Sequence, residues 1–109
     1  MRLAVVDNDA SEAEKLTDGI RKSAEDIDIY RYKSGDEFIG VWEKDKFDIV
    51  ILDIPVGDKN GMDIARAVRQ SDKDVRIVLA SHSSEFACES YEVDASYYLR
   101  KPYCEEQIN

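Results

Sequence analysis

The sequence predicts an α/β fold: a doubly wound, five-stranded parallel sheet in the order 2-1-3-4-5, with helices on both faces. Three observations lead there. Short apolar runs alternate with amphipathic stretches along the whole chain, giving five strand-helix units. One run, Phe47 to Asp53, is too short for a typical helix and rich in branched residues, as a strand buried on both faces of a parallel sheet is. At 109 residues the chain makes one domain, able to bury roughly 65% of the surface its unfolded form exposes. Right-handed crossovers join such units, and the common order that fits five strands sets the first and third side by side at the switch point.

The elements follow in order. Arg2 to Val6 is an apolar strand ending on the polar cluster Asp7, Asn8 and Asp9. From Ala10 the period changes to that of a helix, with Ala13, Leu16, Ile20 and Ala24 on one face and Glu12, Lys15, Asp18, Arg21 and Lys22 on the other. Ile27 to Tyr32 alternates as a less buried edge strand does. Ser34 and Glu37 form a capping box for a second helix that packs through Phe38, Val41 and Trp42.

The central strand ends on Asp53. The Ile54 to Gly61 stretch, with its proline, two glycines and Asn-Gly pair, is a loop. Gly61 to about Gln70 is a third helix with Ile64, Ala65 and Val68 on one face. Val75 to Ala80 is a fourth strand ending on Ser81, and Ser83 or Ser84 caps a fourth helix carrying Phe86, Ala87, Ser90 and Tyr91. A fifth strand, Ser96 to Leu99, ends on Arg100, Lys101 and Pro102, and Tyr103 to Asn109 reads as the first turns of a fifth helix that is cut short. Asp48 reads as a strand-start residue, and Tyr30, Tyr32 and Tyr97 as cover for the sheet or its edges.

With 24 acidic against 15 basic residues the formal net charge is -9, which argues against this segment gripping a nucleic acid or an anionic membrane. Cys88 and Cys104 show no metal-ligand spacing and read as free thiols of a reducing compartment. Leu3 to Val6 is too short for a signal peptide and no run approaches membrane-spanning length. A soluble, cytoplasmic protein is expected.

The predicted sheet brings Asp7, Asn8, Asp9 and Asp53 to one edge, with Ser81 and Lys101 on its rim. Two carboxylates about 4 Å apart repel by roughly 4 kcal/mol at an effective dielectric near 20, so the gathering needs a cation. Oxygen ligands without His or paired Cys select a hard ion, Mg²⁺ or Mn²⁺, which is bound by a few carboxylates alongside phosphate oxygens. Such a site suits a phosphoryl group.

At these residues the whole chain resembles the receiver domains of bacterial two-component response regulators. The family has an acidic pair after strand one, a phospho-accepting Asp after strand three, a Ser or Thr after strand four and Lys-Pro after strand five; here Asp7-Asn8, Asp53, Ser81 and Lys101-Pro102 stand in that order, with Gly61 eight residues past Asp53. The segment from Glu85 to Pro102 is most similar to receivers of the LytTR type, in which a DNA-binding effector domain follows; that domain would lie beyond Asn109.

The resemblance implies a flavodoxin-like, CheY-like receiver over residues 1–109 that takes a phosphoryl group from a sensor histidine kinase onto Asp53. Mg²⁺ would be held by Asp53, Asn8, the Pro55 carbonyl and, through water, Asp7, with Lys101 and Ser81 on the phosphoryl group and Tyr98 as the switch aromatic. It implies an enzyme only in the sense of catalysing its own phosphorylation and dephosphorylation. It also implies homodimerisation through the fourth helix, fifth strand and fifth helix.

Three departures from the family pattern matter. Asn8 replaces an acid and removes one negative charge from the metal site, a loss Asp9 could offset unless it serves as a helix cap. Pro55 and Gly57 reshape the loop after Asp53. His82 adds bulk beside Ser81 and would slow the approach of water or donor. Two rival readings follow: a haloacid-dehalogenase-like phosphatase, which would need an Asp where Pro55 stands and a cap domain, and a pseudo-receiver that binds partners without phosphorylation.

Overall fold

Strands β1 (Arg2–Val6), β2 (Asp28–Tyr32), β3 (Ile49–Asp53), β4 (Arg76–Ser81) and β5 (Tyr97–Arg100) form one sheet in the order β2-β1-β3-β4-β5, every pair parallel. The computed structural model describes residues 1–23, 26–43, 46–54, 60–81 and 93–100, with the backbone alone for 60 and 97–100. The expected order is the one found. The expected fourth and fifth helices, from Ser83 and from Tyr103, and both cysteines lie outside the described residues.

Alternate side chains of a strand point to opposite faces of a sheet, and both faces here are covered. Leu3, Val5 and Ile51 point to the face where Ala13, Leu16 and Ile20 of α1 (Ala10–Ser23) pack. Ala4, Val6, Val50 and Leu52 point the other way, against Phe38 of α2 (Gly35–Val41) and Met62, Ala65 and Val68 of α3 (Asn60–Ser71). Crossovers on both sides of the sheet make the fold doubly wound. The inner strands β1, β3 and β4 carry buried runs, whereas β2 at the edge has no buried residue, as its alternating sequence requires.

Local chemistry sets the boundaries. The Asp9 carboxylate accepts from the amides of Ser11 at 3.0 Å and Glu12 at 3.2 Å, so Asp9 is the cap of α1. Ser34 accepts from the Glu37 amide at 3.1 Å, which is half of the expected capping box; among the described residues the Glu37 carboxylate returns no bond. Helix α2 is short, and its end corrects one expectation. Trp42 is its C-cap, with extended backbone, and Val41 is 40% exposed instead of packing inward. Ending the helix at Val41 frees Trp42 from helical spacing, and its ring turns under the sheet edge to stack on Phe47 at 6.2 Å. Its indole N–H donates to the Ser71 hydroxyl at 2.8 Å, tying α2 to the end of α3.

Two further residues hold the β4 side. Asp72 is buried, and its carboxylate accepts from the amides of Asp74 at 2.9 Å and Val75 at 3.1 Å, forming the turn that enters β4. Arg69 donates to the carbonyls of Val93 at 2.7 Å, Lys73 at 2.8 Å, Asp72 at 3.2 Å and Asp94 at 3.3 Å. This fork clamps the α3-β4 turn to the turn before β5, where Asp94 adopts a left-handed φ of 50°. Asp48 is the strand-start residue expected, its carboxylate accepting from the Arg2 amide at 2.8 Å. Among the described residues no helix is long and apolar enough to cross a membrane.

Phe38 is fully buried where four aromatic rings meet, with Tyr32, Trp42 and Phe47 at centroid distances of 5.4, 5.6 and 5.8 Å. Phe38→Ala should lower unfolding free energy by about 3–5 kcal/mol, read by urea denaturation. Ile39→Ala, one residue on and 36% exposed, should change it by no more than about 0.5 kcal/mol.

Burial raises the Tyr32 phenol above its ordinary value of 10.0, and the nearby Tyr30 and Glu37 raise it further. A raised folded-state value means that this stabilisation is complete below the unfolded value and is lost as pH climbs through the folded one. Urea midpoints should therefore fall less steeply with pH in Tyr32→Phe than in wild type once pH exceeds about 10. Equal slopes would show that the phenol does not titrate with unfolding.

Candidate functional site

The register of the sheet assembles the site. Val6 pairs with Tyr32 on one side and Leu52 on the other, so the residue after each partner, Asp7, Lys33 or Asp53, falls at the same carboxyl edge. The Asp7 amide donates to the Tyr32 carbonyl at 3.0 Å and carries the β1-β2 pairing one step beyond the strand. Asp53 pairs with Ala80, and Ser81 stands one residue further along β4. Strand bounds put Asp53 and Ser81 on the last residue of their strands.

Asp7 is 6% exposed, and its Oδ1 accepts from the Asp9 amide at 2.9 Å. That bond turns the chain out of the sheet, leaving Asn8 exposed. Asp53 is half-buried and Ser81 fully buried. The Asp9 carboxylate is engaged by the first amides of α1, which is the cap role weighed against metal binding for it.

Asp7, Asn8 and Asp53 line one open cleft of about 280 Å³. Its other wall comes from the turn into α2, with Lys33, Ser34, Gly35 and Asp36, and from Gly61 and Ile64 of α3. Two glycines keep that wall thin. A Cβ on Gly35 would lie 2.8 Å from Cγ1 of Ile64, and one on Gly61 would lie 3.1 Å from Cγ2 of Ile54.

The donor set can be matched to a cation. Asp7 and Asp53 offer carboxylate oxygens and Asn8 an amide oxygen, all hard donors of the kind Mg²⁺ and Mn²⁺ take. No group of three or more His, Cys, Asp or Glu able to hold a metal is found among the described residues. Asn8, in place of an acid, leaves the Asp7 and Asp53 carboxylates with an amide oxygen beside them, a set of hard donors with one negative charge fewer.

Of the residues singled out in the sequence, Asp7, Asn8 and Asp53 come together in the cleft, Ser81 stands at the adjoining strand end, and Asp9 caps α1. Tyr98 belongs to β5 and pairs with Leu79. Pro55, His82 and Lys101 lie outside the described residues. Sequence reasoning did not find Lys33, Gly35, Asp36 and Ile64 as cleft residues. The signal was present for Lys33, because the residue following β2 must fall beside the one following β1 once the order 2-1-3 is assumed.

Residues 3–109 match the family model of the response regulator receiver domain. The chain is 27% identical over 108 residues to the sensory transduction protein LytT of Bacillus subtilis strain 168, covering 99% of this chain and 45% of that protein. With LytT of Bacillus anthracis it shares 42% identity over 65 residues, covering 60% of this chain and 26% of the relative. The chain thus spans less than half the length of these curated relatives.

In fold it is similar to the response regulator TrrA of Thermotoga maritima in complex with Mg²⁺-BeF, with a TM-score of 0.79, 24% identity, and coverage of 98% of this chain and 91% of that one. At that identity the likeness speaks for the fold alone. The family match covers nearly every residue, the sheet order is the one that family's marks imply, and Asp7, Asn8, Asp53 and Ser81 stand at the strand ends those marks require. The chain therefore belongs to the response regulator receiver domains of two-component systems.

Proposed function

We propose that this chain is a working phospho-acceptor: Asp53 takes a phosphoryl group from a phosphohistidine of a sensor histidine kinase and so switches an output domain elsewhere in the same protein. The observation that carries this reading is the shared cleft, in which the half-buried Asp53 carboxylate opens beside Asp7 and Asn8. A carboxylate oxygen of Asp53 attacks phosphorus, the P–N bond to the donor imidazole breaks, and its electron pair returns to the ring. Little else is asked of the protein, because phosphoryl transfer is helped mainly by positioning and by charge.

Asp53, Asn8 and, through water, Asp7 would hold Mg²⁺, with Mn²⁺ as a substitute and the Pro55 carbonyl as a further ligand. The bound ion supplies neutralisation of the transferring oxygens. Lys101 would pair with the phosphoryl group, Ser81 would donate to it, and Tyr98 would turn toward the space Ser81 leaves. The new charge favours one of two loop arrangements.

The readout face would be the fourth helix, β5 and the fifth helix, the face through which the active form would pair with a second copy. The relatives named as LytT sensory transduction proteins support a signalling role; the output would be transcriptional, through a DNA-binding domain, with the receiver itself acting in the cytoplasm and touching neither nucleic acid nor membrane. It catalyses nothing beyond its own phosphorylation and dephosphorylation.

One observation favours a second reading. Among the described residues no group of three or more His, Cys, Asp or Glu able to hold a metal is found, and Asn8 stands beside Asp7 and Asp53 in the cleft, as in a pseudo-receiver that binds partners without phosphorylation. Incubation with acetyl phosphate, followed by intact mass, separates the two. The expected result is an added mass of one phosphoryl group that requires Mg²⁺ and is absent in Asp53→Asn. No adduct in wild type, and no response to beryllofluoride, would leave the interaction module as the function.

A further inference from the structure

Lys33 is set beside the acidic end of β1 by two features of the sheet: Val6 pairs with Tyr32, and the Asp7 amide donates to the Tyr32 carbonyl at 3.0 Å. The turn into α2 then puts Lys33 on the wall of the cleft that Asp7, Asn8 and Asp53 line. Lys33 is exposed, and among the described residues that line the cleft, Asp7, Asp36 and Asp53 included, it is the only cation. It makes no ion pair with any described residue. Its charge is therefore not neutralised by a fixed partner and acts on whatever enters.

The position has a side. In the order β2-β1-β3-β4-β5, Lys33 follows β2, while Ser81 ends β4 on the opposite flank of Asp53. Lys33 therefore stands on the β2 side of the approach to Asp53. Gly35, next but one in sequence, keeps that wall low, since a side chain there would press on Ile64.

We propose that Lys33 is a specificity-determining residue of this receiver: it draws the anionic phosphodonor into the cleft from the β2 side and, through the same charge, weakens the hold of the acidic cluster on a divalent cation. The inference rests on the reading of Asp53 as phospho-acceptor. Its two effects have opposite signs because a fixed positive charge attracts the donor and repels the metal, and both fade as salt screens the cleft. With Asn8 in place of an acid, the Lys33 charge is set against one carboxylate fewer among the described residues of the cleft.

The test uses the whole chain as wild type, Lys33→Gln and Lys33→Arg. Two quantities are measured at low and high ionic strength: the initial rate of phosphorylation by sub-saturating acetyl phosphate at saturating Mg²⁺, and Mg²⁺ affinity by direct titration without donor. At low salt, Lys33→Gln should phosphorylate about threefold more slowly while binding Mg²⁺ about threefold more tightly. Both differences should shrink at high salt, and Lys33→Arg should match wild type.

If Lys33→Gln leaves both quantities unchanged, or moves them in the same direction as a loosened fold would, the inference is overturned while the role of Asp53 stands. A wild type that takes up no phosphoryl group overturns both together.

Discussion

Parallel pairing of β1 with β2 and β3 is the constraint on which the site depends. Leu3 and Val5 belong to the α1 face and Ala4 and Val6 to the α2-α3 face, so a slip of one residue would exchange the two sets and bury each against the wrong helices. Because the packing forbids that slip, Asp7, Lys33 and Asp53 must emerge at one edge. The cleft residues need no attraction for one another to meet. The repulsion between the Asp7 and Asp53 carboxylates is held against the burial of two apolar layers.

That constraint explains why so much of the fold was legible. Runs such as Val50 to Leu52, buried in an inner strand, have to be almost wholly apolar, and an edge strand such as β2 has to alternate. Caps were legible for the same local reason: Asp9 and Ser34 stand at helix starts and bond the amides two or three residues on. The end of α2 was not. Helical spacing put Val41 inward, but the Trp42 ring reaches Phe47 and Ser71 only if the helix stops before it, and tertiary contacts outweighed the period. Met62 escaped for a related reason, since one methionine near a loop carries little periodic signal although it is fully buried.

The site divides along similar lines. Asp7, Asn8 and Asp53 could be read because each ends or follows an apolar run, a feature visible in one dimension. Lys33 and Gly35 come from a turn whose place beside the cleft depends on strand order, and Ile64 from a helix on the far wall. Arg69 was equally silent in sequence: its four carbonyl partners come from two turns separated by β4. The clamp steadies the approach to β5 without entering the cleft.

The central claim is that two carboxylates and one amide oxygen suffice to hold the cation that phosphoryl transfer needs. Charge argues that affinity is reduced relative to a three-acid site but not abolished, since hard oxygen donors remain on both strands flanking the switch point. The most direct measurement is a Mg²⁺ titration followed through backbone amide resonances, with Asn8→Asp beside wild type. Saturable shifts at Asp7, Asn8 and Asp53, reached at lower Mg²⁺ in Asn8→Asp, are the predicted result. Saturable shifts in Asn8→Asp alone, with none in wild type, would contradict it and mark the natural chain as one that has given up its metal.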